Sequence, residues 1–171
     1  MNELPTIEGT DVALISGSAV DELQVLLERA ADFELLVTGT PPGPHAAEDL
    51  LIEVPDGHPM RDKLVIGVWT ERGLTAAVDV LRHFPEEHAW YLGLLLVAPD
   101  SRGDGLGAQI VAGIVEWVRR NGGHSIRLVV QDQNPRAASF WEAQDFRPIG
   151  AAIQELESAV NHVTRMERRL S

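Results

Sequence analysis

The chain alternates segments of helical periodicity with short apolar runs, and this pattern predicts most of its secondary structure. The segment "DVALISG" (11–17) predicts a first strand. The segment "SAVDELQVLLERAADF" (18–33) predicts the first helix, because Leu23, Leu26 and Leu27 recur at helical spacing behind a Ser or Asp cap. The chain therefore opens with a strand and a helix.

A stretch rich in proline and glycine follows the first helix. Residues 38–44 ("TGTPPGP") contain three prolines and two glycines, which exclude regular structure. We expect an exposed loop here that could serve as a lid. The segment "HAAEDLLIEVP" (45–55) predicts a second short helix.

Three apolar runs in the middle of the chain predict an antiparallel meander. They cover 63–70, 73–84 and 89–99, and the turn segments "ERG" and "PEEH" separate them. The remaining pattern predicts a helix over 106–119, a strand over 125–131, a helix over 135–144, and two strands near 146–150 and 162–170.

This order of elements favours an α+β or mixed α/β fold. Locally paired strands give a mostly antiparallel sheet, and the later strand, helix, strand unit adds one parallel pair. That pair is formed by the strands containing "LLLV" and "RLVV". A length of 171 residues suits one domain, which we expect to span residues 1–171.

Composition excludes several classes of protein. The chain has no cysteine, so disulfides, thiolate metal sites and a cysteine nucleophile are excluded. Histidines show no ligand spacing, and we predict no metal. The formal net charge of -12 argues against nucleic acid as a partner. No membrane-spanning or signal segment is recognisable, so we expect a cytoplasmic protein.

The loop "RGDGLG" (102–107) is the strongest candidate for a binding site. It lies between a predicted strand and a predicted helix, where backbone N–H groups lack partners and the helix dipole is positive. Gly103, Gly105 and Gly107 would let a ligand approach the main chain, and Arg102 adds a positive charge. Phosphate or pyrophosphate is the expected ligand. The alternative is that the glycines only form a tight turn.

Two common phosphate-binding motifs do not fit this loop. A P-loop requires Lys and then Ser or Thr after its last glycine, but Ala108 and Gln109 follow Gly107. A dinucleotide fingerprint requires a third glycine where Ala108 stands. A nucleoside triphosphatase and a Rossmann-type site are therefore both disfavoured.

The segments "LLLVAPDSRGDGLGAQIV" and "NPRAASFWEAQDF" together resemble the two signature motifs of the GNAT acetyltransferase superfamily. The resemblance extends from about Lys63 to the last strand. It implies a mixed sheet with helices on both faces and a parallel strand pair splayed around acyl-CoA. It also implies that the first sixty residues shape the acceptor pocket.

The resemblance further implies which residues bind acetyl-CoA, the cosubstrate. Backbone amides of the glycine loop would hold the pyrophosphate, the strand before it would pair with the pantetheine arm, and an Asn would contact the same arm. These residues are Leu95, Leu96, Val97, Arg102, Gly103, Asp104, Gly105, Leu106, Gly107 and Asn134. Asn134 could equally serve as a helix cap before Pro135.

Two positions depart from the family pattern. Trp141 stands where a Tyr often protonates the leaving thiolate, and an indole N–H does not realistically give up its proton. Either the thiolate leaves unassisted, or another group serves. Asp145 replaces the usual Gly before Phe146, and Asp tolerates a left-handed backbone better than most residues.

The general base is less evident, because the strand "WYLGLLLV" carries no carboxylate. Asp79, within an otherwise apolar strand, is the candidate base. The alternative is that Asp79 lies on a strand face open to solvent. Other ionisable residues, at a predicted turn where charge usually means solvation, are His83, Glu86, Glu87 and His88.

We therefore predict an N-acetyltransferase that transfers an acetyl group from acetyl-CoA to a primary amine by direct attack. Asp79 and Trp141 are the candidate catalytic residues. The acidic surplus suggests a small cationic acceptor, and a homodimer is compatible with the sequence. The alternative is an acyl-CoA sensor or interaction module without turnover, since the phenol and the strand carboxylate are both missing.

Overall fold

The structure, a computed structural model, describes residues 3–171. The strands are β1 (Asp11–Leu14), β2 (Lys63–Thr70), β3 (Gly73–Arg82), β4 (Ala89–Val97), β5 (Ser125–Gln131), β6 (Arg147–Glu155) and β7 (Val160–Arg169). The α-helices are α1 (Ala19–Arg29), α2 (Ala31–Thr38), α3 (Ala46–Ile52), α4 (Leu106–Arg120) and α5 (Pro135–Ala143). Two short 3-10 helices cover Met60–Asp62 and Pro99–Ser101.

The strands form one seven-stranded sheet in the order β1-β2-β3-β4-β5-β7-β6. Neighbouring strands are antiparallel except β4 and β5, which are parallel. The predicted fold class, a mostly antiparallel sheet with one parallel pair, is confirmed. The crossover between the parallel strands is α4.

Helices cover both faces of the sheet. On one face, α4 and α5 pack against the sheet. The buried apolar stripe of α4 includes Ile110, Ile114 and Val118. On the other face, Leu23 and Leu26 of α1 pack with residues of β2, β3 and β4. No helix within residues 3–171 is long and apolar enough to cross a membrane.

The segment predicted as one helix over 18–33 is in fact two helices. α1 ends at Arg29, Ala30 leaves the helical conformation (φ -101°, ψ 32°), and α2 continues to Thr38. The apolar residues of α2 are contiguous over 35–37, so they lack the spacing that signals a helix. The loop predicted over 38–44 therefore begins at the last residue of α2.

Candidate functional site

The parallel strands separate along their length. β4 and β5 pair at only three positions, the last of which joins Tyr91 to Arg127. Both strands then continue, β4 to Val97 and β5 to Gln131, without pairing to each other. A gap therefore opens between them toward their carboxyl ends, as the resemblance implied.

Backbone groups of β4 face this gap. The N–H of Ala98 donates to the carbonyl of Thr75 at 2.8 Å, so Ala98 faces β3. Because backbone groups alternate in direction along a strand, those of Leu96 also face β3, whereas those of Val97 and Leu95 face the gap. Among the three residues predicted to pair with the pantetheine arm, Leu95 and Val97 thus present backbone groups in the required direction.

The glycine loop presents a row of free amides at the mouth of the gap. Within residues 3–171, no acceptor pairs with the backbone N–H groups of residues 103–108, and the N–H of Gln109 makes the first helical bond of α4. Gly103 and Gly105 adopt positive φ angles of 88° and 84°, and a Cβ added to either would meet nothing within 4 Å. The open side of the loop can therefore receive an anion.

Gly107 has a different role from the other two glycines. A Cβ built on Gly107 would lie 3.3 Å from Cζ of Phe140 in α5. Gly107 therefore lets the start of α4 pack closely against Phe140 of α5.

Arg102 is held by the protein itself. Its Nε donates to the carbonyl of Val97 at 2.9 Å, and its two Nη atoms donate to the carboxylate of Asp32 at 2.7 and 3.2 Å. The positive charge of Arg102, which the sequence analysis assigned to anion binding, is thus paired with an acid from α2. Asp104, the other charged residue of the loop, is exposed.

Asn134 is the N-cap of α5. Its Oδ1 accepts a hydrogen bond from the N–H of Ala137 at 3.1 Å, which confirms the capping role. The carboxamide Nδ2 donates to no acceptor within the described chain, so it stays available to a ligand. Capping and ligand contact are compatible in this geometry.

Trp141 belongs to the core on the α4 and α5 side of the sheet. Only 8% of the residue is exposed, and its ring packs edge-to-face on Phe140 and Phe146 at centroid distances of 4.9 and 5.1 Å. Asp145, the other departure from the family pattern, has a φ of 65°, so it adopts the left-handed conformation that the sequence suggested.

Asp79 lies in a buried ion pair and not on a solvent-facing strand. Its Oδ2 is 2.9 Å from Nζ of Lys63, and the two side chains are 9% and 3% exposed. Its Oδ1 is buried without any hydrogen-bond partner. Burial raises the pKa of Asp79, and the ammonium of Lys63 opposes this effect.

A β-bulge in β4 accommodates this carboxylate. Asp79 pairs with Leu94 and Val80 pairs with Leu92, which leaves Gly93 without a counterpart. A Cβ on Gly93 would lie 2.6 Å from Oδ2 of Asp79, so only glycine fits here. Sequence reasoning missed Gly93 and Lys63, although a glycine inside an apolar strand is a known signal of a bulge.

Tyr91 lies where β4 and β5 part. Its ring packs edge-to-face on Phe84 at 5.5 Å. Burial raises the pKa of Tyr91, and the charge of Asp79 raises it further. Tyr91 is therefore a neutral phenol near the carboxylate.

Two further acids, Glu34 and Glu53, belong to the same electrostatic environment as Asp79. Burial and then the charge of Glu53 raise the pKa of Glu34, and the charge of Glu53 also raises that of Asp79. Glu86 and Glu87, which the sequence analysis placed at a turn, do not contribute to these pKa shifts. Glu86 forms an ion pair with Arg127, so its charge is compensated.

α2 bridges the two sides of the gap. At its start, Asp32 binds Arg102, which follows β4. At its end, the carbonyl of Val37 accepts from Nδ2 of Asn161 at 2.7 Å and the carbonyl of Thr38 accepts from Oγ of Ser158 at 3.0 Å. This helix, more than the loop predicted as a lid, spans the opening.

Comparisons with known proteins agree with this geometry. Residues 41–146 match the acetyltransferase (GNAT) family. No curated protein matches the chain.

Several solved structures share the fold. An acetyltransferase from Thermus thermophilus is 21% identical, with a TM-score of 0.74 over 96% of this chain and 99% of that one. An acetyltransferase of Bacillus subtilis in complex with CoA is 15% identical, with a TM-score of 0.65 over 95% and 98%. A spermidine N-acetyltransferase chimera from Vibrio cholerae and hSSAT is 15% identical, with a TM-score of 0.70 over 95% and 96%.

Proposed function

Since the chain belongs to the acetyltransferase (GNAT) family, we propose that it transfers an acetyl group from acetyl-CoA to a primary amine of a small cationic molecule. The observation that carries the proposal is the gap between β4 and β5 with the free amides of residues 103–108 at its mouth. This arrangement offers an anion site and an unpaired strand edge side by side, which are the two features that coenzyme A requires.

Acetyl-CoA would bind along these two features. The pyrophosphate accepts hydrogen bonds from the amides of the glycine loop, and the positive end of α4 favours its charge. The pantetheine arm extends into the gap, where the backbone groups of Leu95 and the N–H of Val97 face it without a partner. Nδ2 of Asn134 can donate to the same arm from the opposite side of the gap.

The reaction is a direct displacement at the thioester. The ammonium of the acceptor first loses a proton, because only the neutral amine carries a nucleophilic lone pair. The nitrogen then forms a bond to the carbonyl carbon, and a backbone N–H of β4 stabilises the developing oxyanion. The C–S bond breaks with its electron pair on sulfur, and the second nitrogen proton is released.

Asp79 is the proposed proton acceptor. Oδ2, the oxygen nearest the bulge at Gly93, is held by Lys63, so Oδ1 remains as the oxygen with a free lone pair. Its raised pKa brings its basicity closer to that of an amine than an ordinary carboxylate's would be. The paired ammonium opposes this rise and favours the ionised carboxylate.

The thiolate leaves without a proton from Trp141. The indole is packed between two phenylalanines, and its N–H has no realistic acidity. A thiol titrates near about 8.5, so coenzyme A is already a stable leaving group close to neutral pH. Positioning and polarisation then supply most of the rate.

The acidic residues around the acceptor side favour a cation. Glu34 and Glu53 add to the charge of Asp79, and the charge of Glu53 raises the pKa of both Glu34 and Asp79, as like charges do when they lie close together. A cationic acceptor relieves this repulsion when it binds. Polyamines and aminoglycoside-like amines have the required charge.

A second candidate function is acyl-CoA binding without turnover. The burial of Trp141 and the ion pair that already occupies Asp79 both favour it, since each removes a freely accessible proton-transfer group. Such a protein would act as a sensor or an interaction module.

Release of free thiol from acetyl-CoA in the presence of an amine panel distinguishes the two functions. The panel should contain polyamines, aminoglycosides, neutral amines and amino acids, with the Asp79→Asn variant as the control. Amine-dependent thiol release that the variant loses supports the transferase. Tight CoA binding with no release by any amine supports the binding module.

A further inference from the structure

The guanidinium of Arg102 uses three of its five N–H groups in hydrogen bonds within the protein. Both Nη atoms bind the two oxygens of Asp32, and Nε binds the carbonyl of Val97 at 2.9 Å. A bidentate pair of this kind fixes the plane of the guanidinium as well as its position. Arg102 is therefore oriented by three hydrogen bonds to two partners.

The two partners of Arg102 lie on different parts of the site. Val97 is the last residue of β4, and its carbonyl points toward the gap between β4 and β5. Asp32 belongs to α2, whose other end is tied to β7 through Asn161. Arg102 itself directly precedes the free amides of residues 103–108. One side chain thus connects the end of β4, the start of the amide row and the bridging helix.

Asp32 is well suited to hold this connection. A hydrogen bond from Arg102 lowers the pKa of Asp32 and outweighs the opposing effect of burial, so the carboxylate stays charged. The pair is only partly buried, with 33% of the Arg102 side chain and 63% of the Asp32 side chain exposed. Such a pair adds little to the free energy of unfolding.

We propose that Asp32 is a positioning residue for acyl-CoA: it holds Arg102 across the end of β4 so that the amides of residues 103–107 point at the pyrophosphate. We call this pair of Asp32 and Arg102 the clamp. Arg102 acts within the clamp and is not itself a ligand of the pyrophosphate. The inference rests on the proposed function, since it assumes that acyl-CoA occupies the gap. It adds a residue from α2, more than sixty positions before the loop, to the machinery that binds the cosubstrate.

A double-mutant cycle on CoA binding tests the clamp. Calorimetric titration with CoA would compare the wild type, Asp32→Ala, Arg102→Ala and the double variant. We expect each single variant to bind CoA about tenfold more weakly and the double variant to be no weaker than either, because the two residues act as one unit. If Arg102 contacted the pyrophosphate directly, Asp32→Ala would leave the affinity unchanged or increase it.

Arg102→Lys provides a second, independent readout. Lysine keeps the charge but cannot bind the carboxylate in two places and the Val97 carbonyl at once, so we expect it to lose as much affinity as Arg102→Ala. Wild-type affinity in Arg102→Lys, or additive losses in the cycle, would overturn the proposal.

The exposed pair of Arg119 and Glu116 is the matched control. It lies in the last part of α4, away from the glycine loop, and its N···O distance is 3.0 Å. Arg119→Ala and Glu116→Ala should leave CoA affinity unchanged, and thermal unfolding should show all variants folded. A wild type that binds no CoA would refute the proposed function itself, whereas an additive cycle in a CoA-binding wild type would refute only the clamp.

Discussion

The ammonium of Lys63 and the carboxylate of Asp79 form a 2.9 Å ion pair beneath the surface of the sheet, with both side chains more than nine-tenths buried. The pair joins the first residue of β2 to the middle of β3. Removal of one partner from such a pair leaves an uncompensated buried charge, whereas removal of both does not. The structure therefore makes separate predictions for stability and for catalysis at this pair.

Lys63→Met should lower the free energy of unfolding by about 3 kcal/mol, because Asp79 then remains charged and buried without a partner. The double variant Lys63→Met, Asp79→Leu should recover most of this loss, since it replaces the pair with apolar side chains. Urea denaturation at neutral pH measures both effects. A single variant as stable as the wild type would show that Asp79 is more solvated than its burial indicates.

Asp79→Asn should lower the amine-dependent rate at least about tenfold, which corresponds to about 1.4 kcal/mol of barrier. CoA affinity should not change, because the proposed function places Asp79 on the acceptor side of the thioester. The measurement is steady-state kinetics at two salt concentrations with the best amine found, since salt should weaken the capture of a cationic acceptor.

Asp62→Asn is the matched control for this variant. Asp62 is also a buried carboxylate, and it pairs with Arg82 at 3.1 Å, but it does not border the bulge at Gly93. It should keep the wild-type rate at a temperature where both variants are folded. Equal rates for Asp79→Asn and the wild type would show that Asp79 takes no part in the reaction.

The glycine loop was predictable because its signal is local. Three glycines between an apolar run and a helical pattern mark a strand end and a helix start, and the structure has β4 and α4 at these places. The gap between β4 and β5 could be predicted only from the family resemblance, because it depends on where the pairing of these two strands stops. The capping role of Asn134 followed from the proline beside it.

The contacts that surround the loop were not predictable from the sequence. Lys63 meets Asp79 because the register of β2 and β3 sets Val65, two residues from Lys63, opposite Asp79. This register includes a shift between Val68 and Trp69 that the alternation of apolar residues does not show. Asp32 reaches Arg102 from a helix whose contiguous apolar residues do not show helical periodicity. Pairing between distant segments is a property of the folded chain.

Trp141→Phe should keep most of its turnover if the thiolate leaves unassisted. The phenyl ring preserves the edge-to-face packing on Phe140 and Phe146, so the main cost is a modest loss of stability. Parallel measurements of kcat and of acetyl-CoA affinity separate the two possible roles. A large loss of kcat with preserved affinity would mean that the indole N–H takes part in the chemistry.

Glu167 should make stability depend on pH in the acid range. Burial raises its pKa, but hydrogen bonds from Arg127 and Arg169 outweigh this and hold the pKa below its usual value. An acid with a lowered pKa stabilises the fold above its unfolded-state pKa and loses this contribution as the pH falls through its folded-state pKa.

The advantage of the wild type over Glu167→Gln should therefore be largest near neutral pH and should shrink below about pH 4. Urea denaturation of both proteins across this range provides the test. A difference that stays constant with pH would contradict the assigned ion pair.

The central claim is that coenzyme A binds at the amides of residues 103–107, and calorimetric titration of Gly105→Glu with CoA tests it most directly. A side chain at Gly105 has open space around it but would set a negative charge against the pyrophosphate. Gly122 has a similar positive φ, 78° against 84°, and equally open surroundings after the end of α4, so Gly122→Glu carries the same backbone strain without facing the ligand. We expect Gly105→Glu to lose at least about a hundredfold in CoA affinity, nearly 3 kcal/mol, and Gly122→Glu to bind as the wild type does. Wild-type affinity in a folded Gly105→Glu variant would contradict the site.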